Sequence, residues 1–320
     1  MFLPVTDRKF APHRSPCANG EDATPIHLLL HVPRCAGHTI HRHLSTYTAT
    51  GSYYRSRKRK GLSRFILPWY DLNGMPHPQQ LKALGGHHIG TSIDRLFADR
   101  PIRRSILLRD PVSHAVSYYN FRMMRYLSQG LNTYSFDLAY RARPKNFITH
   151  FILSNFLEIS WPRLLILSAI EKYALVNQFL SSFWFVGDYT RCGELIEALA
   201  PDLGVPALAI SHNTQSEWED CVQWTSLHVE DLSSRTLSQI RQDNELDQLL
   251  WEGCCNVDRD VVDTIQPREI CETSRIKFIG SELLRPLYQA KRRFQRGWGR
   301  PRTNAARAPA TNTVAGGAGS

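Results

Sequence analysis

One seven-residue stretch constrains this chain more than any other. Residues 26–32 (IHLLLHV) form an apolar run that passes through the turn PRCAG into residues at helical spacing, Ile40 and Leu44. A short apolar run of this kind suits a strand buried on both faces. A buried strand that leaves through a glycine turn into a helix needs further strands beside it, and the chain supplies candidates. Residues 81–89 (LKALGGHHI), 104–108 (RSILL) and 183–187 (FWFVG) each read as another strand. Asp110 is a good helix N-cap with Pro111 at the first helical position, and Val112, Ala115, Val116, Tyr119 and Met123 follow at helical spacing. An amphipathic helix is expected over 191–200, ending near Gly204, and the stretch 229–252 reads as helical. The most apolar window, 147–170, is broken by His150, Asn155, Glu158, Pro162 and Arg163, so it reads as a buried helix rather than a membrane span. Residues 49–80 read as a long excursion. Strands alternating with helices imply an α/β fold with a parallel sheet covered on both faces.

Length and composition set the rest of the frame. The chain has 320 residues, 42% apolar and 21% charged, which is ordinary globular usage and excludes a fibrous repeat, a coiled coil and a mainly disordered chain. Its formal net charge of +10 is concentrated. Residues 55–64 (RSRKRKGLSR) hold six cations and residues 291–320 hold seven, with no acid in either; without those thirteen the rest of the chain stands at −3. Such blocks are solvated or meet something acidic, and contact with anionic lipid, as at a membrane surface, or with an anionic polysaccharide is the sharper expectation. The cations lack interleaved aromatics and any nucleic-acid motif, so nucleic acid is not expected as a partner. Residues 1–24 read as a loose arm, 25–290 as a single α/β domain, and 291–320 as a basic low-complexity tail. Seven cysteines without a CxxC pair suggest neither a zinc site nor a disulfide framework. With no signal-peptide pattern at the start, the expected location is cytoplasmic, peripheral to the inner membrane where the basic segments touch it.

The segment LLLHVPRCAGHTI carries the first chemistry. A strand, a tight turn at Gly37 and an immediate helix point backbone N–H groups and the helix dipole at whatever lies over the turn, which suits an anion. Arg34 adds a cation and Thr39 a hydroxyl. The GK[ST] of a Walker motif is missing, which argues against a magnesium-dependent nucleotidase. By itself the segment fits a plain βα turn equally well. The second segment, RSILLRDPVSHAVSYY, sets Arg109 at a strand end and Ser117 eight residues on. An arginine can take a phosphate bidentately, with a hydroxyl completing the cradle. Arg109–Asp110 as a local ion pair, with Ser117 an exposed helical serine, is the bland alternative.

Taken together, the two segments resemble the nucleotide-binding signatures of sulfotransferases that use 3′-phosphoadenosine 5′-phosphosulfate, in their carbohydrate (Golgi-type and bacterial) branch. The first stands here as His31-Val32-Pro33-Arg34-Cys35-Ala36-Gly37-His38-Thr39 and the second as Arg109-Asp110-Pro111-Val112-Ser113-His114-Ala115-Val116-Ser117-Tyr118-Tyr119. GGHHIG (85–90) resembles the family's Gly-His strand. FVGDYTRCGELIEAL (185–199), His212-Asn213-Thr214 and Asp247 to Trp251 resemble later family segments more weakly. The resemblance spans about residues 26–290.

The resemblance implies a P-loop-like three-layer αβα fold with a central parallel sheet and long helical excursions. It implies an enzyme that moves a sulfuryl group from 3′-phosphoadenosine 5′-phosphosulfate to a hydroxyl of a carbohydrate or glycolipid acceptor, with no metal. Pro33, Arg34, Cys35, Ala36, Gly37, His38 and Thr39 would hold the 5′-phosphosulfate, and Arg109 and Ser117 the 3′-phosphate. Arg34 would stabilise the leaving phosphate, and His87, with His88 as the alternative, would serve as general base. His31 would pack under the loop. Two positions depart from the family pattern. Arg34 stands where the family has lysine, and Cys35 replaces a threonine, with His38 at the second. They keep a second class open, a non-catalytic nucleotide- or polyanion-binding protein on the same fold. The acceptor is expected to meet segments 49–80 and 125–180, whose aromatics include Tyr53, Tyr54, Trp69, Tyr70, Tyr126, Tyr134 and Tyr140.

Overall fold

A computed structural model describes residues 24–58, 70–207, 224–255, 286–288 and 290–291. The basic tail beyond Lys291, most of the basic loop, the N-terminal arm up to residue 23, Trp69, the side chain of Tyr70 and His212-Asn213-Thr214 lie outside the described residues.

Five strands form one parallel sheet: β1 (Ile26–Leu30), β2 (Tyr53–Arg55), β5 (Ala83–Gly86), β6 (Ile102–Leu108) and β7 (Phe185–Asp188), in the order β2-β5-β1-β6-β7. Central β1 is buried at every residue, as its uninterrupted apolar run requires. A separate two-stranded ribbon pairs β3 (Arg57–Lys58) with β4 (Tyr70–Asp71). Helix α1 (Gly37–Tyr47) packs against α7 (Cys192–Leu203). A second group, α4 (Phe147–Asn155), α6 (Ala169–Ser181) and α9 (Glu245–Cys255), packs on itself and on β7. The fold is thus a three-layer α/β arrangement, as expected. Among the described residues no helix is long and apolar enough to cross a membrane.

The strand order fixes where a ligand can sit. From β1 the chain turns toward β2 and β5, whereas from β6 it turns away toward β7. Adjacent parallel strands whose connections diverge leave a crevice beyond their carboxyl ends. The segments after β1 and after β6 are the two signatures, so both meet at that crevice.

Three expectations need correction. The window 147–170 is not one buried helix: α4 ends at Asn155, α5 (Trp161–Ile166) starts after Ser160 with Pro162 in its first turn, and α6 starts at a capping box of Ser168 and Glu171. Ile166 is 71% exposed. Local caps outweighed the apolar content of the window there. The stretch 229–252 is a 3-10 turn, then α8 (Ser234–Asp243) capped by Ser233, then α9, with Asn244 between the helices. Segment 49–80 supplies β2, an edge strand of the main sheet, whose half-buried Tyr53 and Tyr54 and exposed Arg55 lack the apolar run that betrays a central strand. The predicted strands 81–89, 104–108 and 183–187 and the helix closing at Gly204 appear with shifted ends, Gly204 adopting the left-handed conformation that ends a helix.

Candidate active site

The loop after β1 is held in an uncommon backbone shape. Arg34 has φ 69° and Ala36 has φ 56°, both left-handed and both without the freedom of glycine. Ala36 is the N-cap of α1 but caps nothing with its side chain, and no acid lies in the first turn. The positive end of that helix therefore has no acid of its own first turn to meet it. Gly37 is obligatory, because a Cβ there would stand 1.9 Å from the His31 ring. His31 is itself 8% exposed and packed beneath the loop.

Helix α2 (Pro111–Leu127) begins as predicted, with Asp110 accepting the Ser113 N–H at 2.9 Å. Its turns then present Ser113, Ser117 and Phe121 at four-residue intervals to the loop arginines. Arg109 Nε donates to Ser113 Oγ (2.7 Å) and its Nη1 to the Arg34 carbonyl (3.2 Å). Arg34 Nε donates to Ser117 Oγ (3.2 Å), and its guanidinium lies 4.6 Å from the Phe121 ring centre. Arg109 covers the Tyr189 ring at 3.9 Å. Ser117 is buried, not an exposed helical serine, and Arg109 makes no ion pair with Asp110.

A third arginine joins them. Buried Arg143 donates to His114 Nδ1, and His114 Nε2 bonds the Pro33 carbonyl at 2.7 Å. A carbonyl only accepts, so His114 is protonated on Nε2 and takes the Arg143 proton on Nδ1, a neutral link from α2 to the loop. Burial, then Arg143, keeps its pKa well below the usual histidine value. Among the described residues, none of Arg34, Arg109 and Arg143 is ion-paired with a carboxylate. Burial first, and Arg109 second, lowers Arg34 to about 10, still charged at neutral pH. Converging cations without a counter-charge suit a multiply charged oxyanion.

Beside the loop sits a histidine cluster. The His31 N–H bonds Gly86 O at 2.9 Å, which brings the end of β5 against the loop. His87 stacks on His31 with ring centres 4.1 Å apart, and His41 meets His31 edge-on at 5.1 Å. His87 Nδ1 donates to the His31 carbonyl at 2.7 Å, so in the neutral ring Nε2 is the acceptor. Burial lowers the His87 pKa, keeping that nitrogen unprotonated at neutral pH. His88 instead bonds Asn155 Oδ1 through Nδ1 (2.9 Å).

Other predicted residues serve structure. The Cys35 side chain is 1% exposed and lies in the core, its thiol pushed up to about 12 by burial, and its N–H bonds Val32 O. Its contribution to an anion site is therefore backbone shape, not a ligand-facing group. Pro33 offers its carbonyl to His114, while His38 is exposed and Thr39 half-buried at the start of α1. Tyr53 is bonded to His41 and is not a free platform for a sugar. Asp247 binds Ile148 N, Thr149 N and Thr149 Oγ1 (3.0, 2.8 and 2.6 Å) and caps α4, and Trp251 Nε1 donates to Asp188 Oδ2 (2.7 Å). Burial holds the Cys255 thiol protonated, the opposite of a reactive thiolate beside Cys254.

Ser113, His114, Phe121, Arg143 and Tyr189 were missed by sequence reasoning. Ser113 and Phe121 were legible as one four-residue helical step before and after Ser117; Arg143 had no signal, since its approach depends on how α3 (Phe136–Arg141) and α4 return to α2. No known protein family matches the chain, and no curated protein is similar to it.

Proposed function

We propose that the protein is a sulfotransferase that moves a sulfuryl group from 3′-phosphoadenosine 5′-phosphosulfate to a sugar hydroxyl. The observation that carries this reading is the convergence of Arg34, Arg109 and Arg143, none of them ion-paired with a carboxylate among the described residues, on a glycine turn at the divergence of the sheet. Arg109, Ser113 and Ser117 suit the 3′-phosphate. The first turn of α1 and Arg34 suit the 5′-phosphosulfate, where Arg34 stabilises negative charge on the bridging oxygen as the bond to sulfur breaks. The acceptor hydroxyl forms the new O–S bond while its proton passes to His87 Nε2, and 3′-phosphoadenosine 5′-phosphate leaves. The bond from His87 Nδ1 to the His31 carbonyl holds the ring in the tautomer this step needs.

The test is calorimetric titration with 3′-phosphoadenosine 5′-phosphate, followed by transfer of radioactive sulfate to an oligosaccharide panel. Micromolar binding is expected, with transfer falling by about 100-fold or more in His87→Ala while binding is kept. A folded protein that does not bind the nucleotide overturns the reading. Binding with transfer to no acceptor leaves the non-catalytic nucleotide- or polyanion-binding alternative.

A further inference from the structure

A file of four rings runs from the edge of the sheet to His87. It starts on β2 at Tyr53, whose hydroxyl shares a hydrogen bond with His41 Nδ1 from α1. His41 meets His31 edge-on with ring centres 5.1 Å apart, and His31 stacks on His87 at 4.1 Å with the two planes 25° apart. His41 and His31 are buried, 2% and 8% exposed, whereas His87 at the end of the file is only half-buried. Two glycines leave the space these rings occupy. A Cβ on Gly85 would stand 2.6 Å from His41 Cε1 and 2.8 Å from the Tyr53 hydroxyl, and one on Gly37 would enter the His31 ring. Neither glycine has a positive φ, so room and not backbone freedom excludes a side chain there.

The file is anchored at its two ends. Tyr53 holds one, and the bond from His87 Nδ1 to the His31 carbonyl holds the other. Between them, His41 Nε2 and His31 Nδ1 are buried with no partner among the described residues, so the inner rings are oriented by their neighbours. The carbonyl bond selects the His87 tautomer, but the outer torsion of a histidine is broad, and one hydrogen bond lets the ring tilt. The face of His31 removes that freedom, and His31 is steadied in turn by His41 and Tyr53. Burial keeps all three histidines below the ordinary pKa, so the stacked rings are neutral at pH 7.5. We propose that Tyr53 and His41 are positioning residues for His87, acting through His31 to keep its Nε2 in one direction. Their effect on sulfuryl transfer rests on His87 being the base; their hold on the His87 ring does not.

The test joins nitrogen-15 NMR of histidine-labelled protein at pH 7.5, with His87 assigned from the spectrum of His87→Gln, to steady-state transfer to an oligosaccharide. Tyr53→Phe removes the anchoring hydroxyl and keeps the ring, and His41→Gln removes the middle ring. The wild-type chain should show His87 as a single Nδ1–H tautomer. Each variant should turn it into a mixture of tautomers and lower kcat about 10-fold, with the KM for the nucleotide unchanged. An unaltered His87 tautomer in both variants overturns the proposal, as does a loss of transfer carried by the nucleotide KM alone. If neither variant folds, the wild-type spectrum decides: a single tautomer supports the file and a mixture overturns it. A shifted tautomer with transfer at the wild-type rate, or with no transfer even in the wild-type chain, keeps the file and sinks His87 as the base.

Discussion

Strands β1 and β6 lie side by side, and their two ends treat charge in opposite ways. At the amino-terminal end, buried His27 donates through Nε2 to Asp202 Oδ2 (2.8 Å), and Arg103 donates to the same oxygen at 2.5 Å while lying 5.6 Å from the Trp184 ring centre. Lys82 adds a bond to the Asp202 carbonyl at 3.5 Å. Arg103 there is paired with a carboxylate, which His27 shares. At the carboxyl end, Arg34 and Arg109 have serines, rings and a carbonyl and Arg143 has His114, and among the described residues none of the three is ion-paired with a carboxylate. A cluster neutralised from within serves stability. One without an acid partner is where the proposed function places an anion from outside, which would stabilise the folded chain on binding.

The contrast can be broken in four ways, the most drastic at Gly37. Gly37→Ala drives a methyl group into the His31 ring, which is itself held against His87, and should destabilise the chain by about 3 kcal/mol while abolishing nucleotide binding. Thermal unfolding and calorimetry check this, and wild-type behaviour in both would mean that the loop does not depend on His31. Next comes a pair of arginines near opposite ends of β6. Arg109→Ala should weaken nucleotide binding by about 100-fold, from the loss of charge-assisted hydrogen bonds, with a melting temperature unchanged or raised. Arg103→Ala should leave nucleotide affinity alone. A drop in affinity in both, or in neither, erases the distinction.

A smaller effect is expected at the neutralised end. Asp202→Asn should lower stability by about 1–2 kcal/mol, because buried His27 and Arg103 lose their shared acceptor charge, and should not change nucleotide affinity. Denaturant titration at pH 7 measures it. The least is expected from a single histidine. Burial lowers the pKa values of His31, His41 and His87 in the folded chain, His41 to about 3, whereas in the unfolded chain they stay near the ordinary value of about 6.5. The unfolded state then binds more protons in that window, so stability is full above about pH 6.5 and is lost as pH falls toward about 3. His41→Gln should remove about 1 kcal/mol per pH unit of that slope. An unchanged slope by unfolding at pH 5, 6 and 7 would place the titration elsewhere.

How far each feature was legible depended on whether its cause was local. β1 is buried on both faces, so its run of apolar residues had to be continuous, and the glycine turn and Asp110-Pro111 cap are decided by their own backbone geometry. β2 is a three-residue edge strand whose pairing partner lies some thirty residues on, at Ala83 to Gly85, so nothing in Tyr53-Tyr54-Arg55 announces it. The 147–170 window misled for the opposite reason, since its many apolar residues hide the Pro162 start of α5 and the Ser168 cap of α6 that cut it.

By itself the sequence determined the α/β alternation, the strand–turn–helix shape of the loop, the start of α2 and the four-residue spacing that aligns Ser113 with Ser117. These follow from periodicity, caps and glycine, which act over a few residues. Only the tertiary structure decided that the two signatures face each other, that His87 stacks on His31, and that Arg143 reaches Pro33 through His114. Those contacts join residues from 29 to 110 positions apart, and they exist because parallel strand order brings chain ends together that no local rule relates.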